Sequence, residues 1–179
     1  MVESRTAFDL LLHIDQRCRL LAAELPSQES RLQTWSGIGF RLAGQWYVAP
    51  MGEVAEVLPQ PHTTRLPGVK PWVVGVANLR GRLLPVIDLC GFFGQALSTA
   101  RKQRRVLVVD RADLFVGLLV DEVMGLQHFG LASHDLGLPA DTPAGIAPFI
   151  QGYFAREHCW CVFSPLSLVQ ARVFLDVAR

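Results

Sequence analysis

The chain opens with the apolar spacing of a helix. In residues 6–25 apolar side chains recur at alternating intervals of four and three, which places them on one helical face. The members of this stripe are Ala7, Leu11, Ile14, Cys18, Leu21 and Leu25. Thr6 can cap the helix, and Pro26 ends it. The stripe either packs on the protein's own barrel or pairs with a partner's helix, and its spacing suits both.

Short strands follow a polar linker that covers residues 26–36. Apolar runs or alternating positions, separated by glycine, asparagine and proline, predict the strands. They are Phe40–Leu42, Trp46–Val48, Val73–Ala77, Arg82–Ile87, Val106–Val109, Leu114–Val120, Phe149–Ala155 and Cys159–Phe163, and Val54–Leu58 is a short strand or a bend. Pro85 predicts that its strand lies at an edge or carries a bulge. So many short strands with tight turns indicate a mainly β protein built from small barrels.

The two remaining segments are a loop and a closing helix. Three prolines predict a loop over residues 128–148. Ser164 can cap a final helix whose first position is Pro165. Its predicted inner stripe is Leu166, Val169, Val173 and Val177.

Size and composition allow one domain or two small subdomains with a shared core. The chain has 179 residues, of which 50% are apolar and 18% are charged. A net charge of +1 gives no general attraction to nucleic acid or to anionic membrane. Asp9 and Asp15 interrupt any signal peptide, and Leu114–Val120 is too short to span a bilayer. We therefore expect a soluble, cytoplasmic protein.

No constellation of catalytic residues stands out. Asp88, Asp110 and Asp121 each follow an apolar strand, where an aspartate usually caps a turn, although their convergence in a pocket would favour a hydrolase. The histidines have no metal-binding spacing, and no phosphate-binding loop occurs. The four cysteines are Cys18, Cys90, Cys159 and Cys161, and we expect buried, reduced thiols. The sequence therefore predicts no enzyme, no cofactor and no metal.

One dense basic run covers residues 101–105. It is interpreted as a solvated loop, as a contact for an acidic protein partner, or as the phosphate contact of a small-barrel nucleic-acid-binding protein. No aromatic residues interleave with it, which disfavours the nucleic-acid alternative.

The most informative stretch runs from Leu66 to Leu89. Within it, Asn78 and Gly81 suit a tight turn that carries Arg80 at its tip. An arginine held there by apolar strands offers a planar fork of donors to a partner's carboxylates or carbonyl groups.

This stretch resembles the signature of the CheW-like coupling proteins of bacterial chemosensory systems, which is close to G-V-x-N-L-R-G-x-x-x-P-V-I-D-L. Further matches occur in the same order, at Phe40–Pro50, Val54–Val57, Val116–Val123 and Phe149–Gly152. The resemblance covers about residues 37–170 and leaves the first helix outside. With that extension, the chain is most similar to the branch that serves type IV pili and twitching motility.

The resemblance implies a domain at residues 36–179 that consists of two packed, five-stranded, SH3-like barrels, after a helix and linker at residues 1–35. It implies a non-enzymatic adaptor that couples the cytoplasmic tip of a chemoreceptor to a histidine kinase, recruited to membrane-associated receptor arrays. By match to the motif, the receptor-binding residues are Asn78, Leu79, Arg80, Val54, Glu56 and Val57. The kinase's regulatory domain, which shares the fold, is expected to dock barrel to barrel at turns of the second barrel.

The chain departs from the family pattern at two places. Ser164-Pro165 stands where relatives usually have an aspartate after the last apolar strand, which puts the final turn in doubt. Arg105 stands where relatives are often apolar or small, and it could change a partner surface.

Overall fold

The computed structural model describes residues 7–21, 34–111 and 114–179. These residues divide into two compact units, one of which contains the first helix and the other the β-rich remainder. The helix, α1, covers Ala7–Leu21, and its stripe members Leu11, Ile14 and Cys18 are exposed. The predicted cap at Thr6 and the predicted end at Leu25 and Pro26 lie outside the described residues.

Eleven strands form in the described residues of the larger unit. They are β1 (Thr34–Leu42), β2 (Gln45–Pro50), β3 (Glu56–Pro59), β4 (Val73–Leu79), β5 (Arg82–Asp88), β6 (Arg105–Arg111), β7 (Leu114–Val120), β8 (Glu122–Gly130), β9 (His134–Asp135), β10 (Ile150–Ala155) and β11 (Cys159–Phe163). Three short helices are α2 (Leu89–Phe92), α3 (Pro165–Gln170) and α4 (Arg172–Leu175).

The strands make two curled sheets, as small barrels require. The first has the order β8-β1-β2-β11-β10-β9, and the second has the order β3-β6-β7-β5-β4. Each sheet contains one parallel pair, β2 with β11 and β5 with β7, among antiparallel neighbours. The second sheet has the predicted five strands, whereas the first has six because the two-residue strand β9 pairs with β10.

One apolar core joins the two sheets. It contains Phe40 of β1 and Phe163 of β11 from the first sheet, and Leu107 of β6 and Leu118 of β7 from the second. All four side chains are fully buried. Each sheet also has one smaller apolar cluster of its own. The predicted shared apolar interface between two β subdomains is therefore present.

Two predictions, for the loop and for the closing helix, need correction. The predicted loop over residues 128–148 is wrong at its start, because β8 continues to Gly130 along β1 and β9 follows. The closing helix breaks at Ala171, whose backbone is extended, so Val173 and Val177 do not join the inner stripe and are exposed. Phe174 is buried in their place.

Pro85 lies on an interior strand, contrary to the edge alternative, and the register shift in its pairing with β4 lies on β4, between Val73 and Gly75. Its strand β5 pairs with β4 on one side and with β7 on the other. Pairing with β7 begins at Val86, one residue beyond the proline. On the β4 side Pro85 faces Val76, whose N–H and C=O both bond to Thr64 instead. The missing N–H of Pro85 therefore removes no hydrogen bond between β5 and its two neighbouring strands.

Candidate partner-binding site

The turn between β4 and β5 presents Arg80 to solvent. Arg80 and Gly81 both have positive φ, 53° and 84°, which is the geometry of a two-residue type I′ hairpin. The side-chain oxygen of Asn78 accepts a hydrogen bond from the Gly81 N–H at 2.8 Å. Leu79 and Arg82 pair directly across the turn. The sequence thus fixes the backbone of the arginine before any partner binds.

An ion pair then fixes the direction of the Arg80 side chain. Its Nη2 donates a hydrogen bond to Oε1 of Glu56, on β3, at 2.7 Å. The side chain of Arg80 is 76% exposed, and that of Glu56 is 28% exposed. β3 and β4 are the two edge strands of the second sheet, so the pair spans the gap between its edges. The remaining donors of the guanidinium stay available to a partner.

A second arginine lies at the same end of the sheet. Nη1 of Arg82 donates to Asp110 at 2.7 Å, and its guanidinium lies 3.8 Å from the centre of the Phe115 ring. With Glu56 and Arg80, these residues line a cavity of about 220 Å³. The site therefore combines two oriented arginines, two carboxylates and one aromatic ring.

The structure brings together only some of the six residues that the motif suggested. Glu56, Leu79 and Arg80 line the cavity together. Asn78 stabilises the turn. Val54 and Val57 are partly buried and pack against the large shared core, not in the cavity.

Sequence reasoning missed Arg82 and Asp110 as members of this site. From the sequence, Asp110 is interpreted as the cap of a turn or as a hydrolase carboxylate, and not as the partner of an arginine. Arg82 could have been found, because a residue that follows a two-residue turn lies beside the residue that precedes it. The Asp110 contact depends on the pairing of β5 and β6 with β7, which no local pattern reveals.

The three candidate catalytic carboxylates have separate partners. Asp110 pairs with Arg82, and Asp88 accepts a hydrogen bond from the Gly91 N–H as the cap of α2. Burial raises the pKa of Asp88, although the N–H groups of Gly91 and Cys90 partly oppose this. Asp88 and Asp110 line different cavities. The arrangement gives no support to the hydrolase alternative.

Asp121 is a buried structural carboxylate. Its oxygens accept hydrogen bonds from the N–H groups of Ala43 and Ser98, both at 2.7 Å, and from the N–H and hydroxyl of Thr99. Burial alone would raise the pKa of Asp121, but these four donors outweigh it and hold the pKa below its usual range. The carboxylate thereby ties the β1–β2 turn to the loop that leads into the basic run.

The cysteines are all free thiols, as predicted, but not all are buried. Cys90 is buried and Cys161 is half-buried, and burial raises the pKa of each thiol to about 12. Cys18 and Cys159 are exposed, which corrects the prediction for those two. Among the described residues, no three potential metal ligands come together.

Arg105, the departure from the family pattern, has a structural role. Its Nη1 donates hydrogen bonds to the carbonyl oxygens of Lys102, Gln103 and Arg104, at 2.8, 3.0 and 2.8 Å. The basic run at residues 101–105 therefore forms a compact loop, in which the side chain of Arg105 folds back onto the backbone of the preceding three residues. None of the helices in the described part of the chain has the length and apolar character to cross a membrane.

Comparisons with known proteins agree with these features. Residues 36–173 match the CheW-like domain. Protein PilI of Pseudomonas aeruginosa is 60% identical to this chain over 178 residues, which cover 99% of each protein. The chemotaxis protein CheW of Bacillus subtilis is 30% identical over 117 residues, which cover 64% of this chain and 75% of that protein.

The fold is also found in a solved structure. The crystal structure of the scaffolding protein TtCheW from Thermoanaerobacter tengcongensis superposes with a TM-score of 0.66 at 24% identity. The superposition covers 79% of this chain and 96% of that chain. The arrangement of two curled sheets is therefore shared with it.

Proposed function

The chain belongs to the CheW-like domain family, and we propose that it is a non-enzymatic adaptor of a chemosensory array. In that role it couples the cytoplasmic tip of a chemoreceptor to the regulatory domain of a histidine kinase. The observation that carries the proposal is the match over residues 36–173, together with 60% identity to PilI along almost the whole chain. The similarity to PilI favours the branch of the family that controls twitching motility through type IV pili.

The proposed receptor contact is the exposed Arg80 turn. A rigid arginine fork suits a partner surface that presents backbone carbonyls or carboxylates. Glu56 holds the fork at 2.7 Å, so little side-chain freedom remains to be lost on binding. Leu79 supplies the apolar neighbour, and Arg82 with Phe115 extends the surface. Val54 and Val57 contribute by supporting β3 from the core.

The proposed kinase contact is a separate surface. A regulatory domain with the same fold can dock barrel to barrel, and turns of the second sheet are the expected contact. The adaptor then acts by position alone, without turnover, cofactor or metal. Its place of action is the cytoplasm, at membrane-associated receptor arrays. The nucleic-acid alternative gains no support from the matched family or relatives.

The test uses two binding assays on the same purified variants. Arg80→Ala is expected to reduce capture of a chemoreceptor's cytoplasmic fragment while capture of the kinase regulatory domain is retained. Arg172→Ala, an exposed arginine outside the cavity, is the matched control and should bind both. In a twitching strain that lacks the native protein, the wild-type chain should restore movement and Arg80→Ala should not. Binding of neither fragment by the wild-type chain would overturn the proposal.

A further inference from the structure

A larger cavity, separate from the Arg80 site, lies beside the second sheet. Its volume is about 660 Å³, and it shares no lining residue with the cavity at Arg80. Most of the lining comes from residues between 60 and 74 and from the loop that contains Arg101 and Arg104. We call it the basic cavity, after its four cationic residues Arg65, Lys70, Arg101 and Arg104.

The cations of the basic cavity are only half neutralised. Lys70 pairs with Asp176 at 2.7 Å, and Arg104 lies within electrostatic range of Asp88, the one carboxylate in the lining. Arg65 and Arg101 have neither a hydrogen bond nor an ion pair with any residue that the structure describes. The whole chain carries only +1, so a surplus of two positive charges in one cavity is a strong local concentration.

The wall that carries Arg101 is rigid. The buried carboxylate of Asp121 anchors its first residues, Ser98 and Thr99. Nε of Arg104 donates to the Thr99 carbonyl at 3.0 Å, and Arg105 closes the other end through its three carbonyl contacts. A loop that is bonded internally in this way presents its arginine with little loss of freedom on binding.

The wall that carries Arg65 is also fixed. The preceding residue, Thr64, exchanges two backbone hydrogen bonds with Val76 of β4, at 2.8 and 2.9 Å. A Cβ at Gly75 would clash with the carbonyl oxygen of Thr64, so the glycine permits this close approach. Further along, the Lys70 N–H donates to the Val177 carbonyl at 3.0 Å. Both walls are thus built before a ligand arrives.

The lining decides what kind of anion fits. No phenylalanine, tyrosine or tryptophan lines the cavity, and the imidazole of His62 is the one aromatic ring in its lining, which is a small surface for stacking a nucleotide base. The cations lie on two separate walls, which suits two carboxylates spaced along a chain better than a single phosphate, whose oxygens are best bound by donors that converge on one point. Leu66, Val69 and Leu97 add apolar surface between the charges. Two carboxylates on one extended segment, with apolar neighbours, match this pattern.

We propose that the basic cavity docks an acidic segment of a partner protein, with Arg65 and Arg101 each binding a carboxylate. Arginine forms charge-assisted, often two-pronged hydrogen bonds with carboxylates, which gives the contact direction as well as attraction. The segment binds without using the Arg80 turn, so the adaptor can hold it together with a receptor.

The probe is a fluorescein-labelled hexaglutamate peptide, titrated into the full chain and followed by fluorescence anisotropy at low salt. We expect saturable binding at one site that weakens with added salt. Arg65→Gln and Arg101→Gln should each weaken binding by about tenfold, since each removes one charge-assisted contact. Arg172→Gln is the matched control and should bind as the wild type does. Arg80→Ala should also bind normally, which separates this proposal from the receptor contact.

Several results would overturn the proposal. These are failure of hexaglutamate to saturate, equal binding of hexaglutamine, or an equal loss from Arg172→Gln, which would indicate non-specific attraction. Saturable binding of ATP, inorganic phosphate or vesicles of anionic lipid at Arg65 and Arg101, without binding of the peptide, would do the same. Thermal unfolding of each variant verifies folding, and both arginines are expected to be replaceable because neither has a partner in the described residues.

Discussion

The carboxylate of Glu53 accepts a hydrogen bond from the buried hydroxyl of Ser164, 111 residues further along the chain, at 2.7 Å. The same oxygen of Glu53 accepts the Leu166 N–H at 2.9 Å, in the first turn of α3. The family resemblance leads to the expectation of an aspartate near Ser164, after the last apolar strand. Here Ser164 caps α3 by accepting the Ser167 N–H, and Glu53 supplies the negative charge at the helix start. The final turn therefore forms, with its carboxylate provided from another part of the chain.

Glu53→Ala is expected to lower the free energy of unfolding by about 2 kcal/mol, because it leaves the Leu166 N–H and one bond of the Ser164 hydroxyl unmade. Glu53→Gln retains an oxygen acceptor and should lose about half as much. Urea unfolding of both variants measures the difference. Glu122→Ala is the control, since its carboxylate lies 3.7 Å from Arg41 at the surface and should contribute less than about 0.5 kcal/mol. Equal losses from Glu53 and Glu122 would contradict the assigned role.

Local chemistry was enough to predict the hairpins. The Arg80-Gly81 turn and its flanking strands follow from residues that are adjacent in sequence, and the structure places the turn as expected. Ser164 and Pro165 likewise mark the start of α3 by themselves. A strand pair joined by a short turn is specified by its own side chains, so the sequence reveals it.

Contacts between residues that are far apart in sequence cannot be predicted from local patterns. The local pattern predicts a loop for the end of β8, because this strand is stabilised by β1, about ninety residues earlier, as in the pairing of Trp35 with Phe129. Arg105 looked like a surface cation, yet its guanidinium closes a loop. Asp121 looked like a turn cap, and its four donors come from two segments that are far from it in sequence. These roles depend on tertiary contacts that no local pattern encodes.

Asp121→Asn is expected to lower the free energy of unfolding by about 2 kcal/mol near neutral pH. Both oxygens of the Asp121 carboxylate accept hydrogen bonds from N–H groups. In asparagine an NH2 group replaces one of these oxygens, so it would face an N–H donor and could not accept from it.

The loss from Asp121→Asn should depend on pH. The folded-state pKa of Asp121 is lowered from 3.8, so its stabilising contribution is present above about pH 4 and is lost as the pH falls through the folded-state value. The difference between wild type and variant should therefore be constant from pH 6 to about pH 4 and shrink as the pH is lowered further. A difference in urea midpoints that stays constant below pH 4 as well would contradict the ionised state of the carboxylate.

Arg80→Gly separates binding from folding. Glycine accepts the positive φ of 53° without the strain that arginine carries there, while the exposed ion pair with Glu56 contributes little. The melting midpoint should stay the same or rise. Receptor binding should weaken by roughly 2 kcal/mol, as expected for a central arginine contact. Arg80→Lys tests the fork itself, because it keeps the charge and loses the planar donors. A Lys variant that binds as tightly as wild type would show that charge alone suffices.

Deletion of residues 1–32 should leave the β-rich unit folded. The family match begins at residue 36, and β1 begins at Thr34. Circular dichroism of residues 33–179 should show the same β content and melting midpoint as the full chain. If the stripe of α1 covers this chain's own surface, sedimentation will show lost solubility. If the stripe serves a partner, partner binding will fall while solubility is kept. Loss of β structure would show that α1 belongs to the core.

The exact end of the deletion matters, because Trp35 lies only a few residues beyond it, in the part of the chain that is kept. Its ring is 5.2 Å from that of Phe154 and 6.1 Å from that of Phe129, measured between centroids. A chain that starts at residue 38 should therefore be less stable than residues 33–179 by about 3 kcal/mol, through loss of a packed aromatic side chain. Trp35→Ala in the full chain should reproduce most of that loss. If residues 38–179 unfold at the same urea concentration as 33–179, the edge of the folded unit lies beyond Trp35 and not before it.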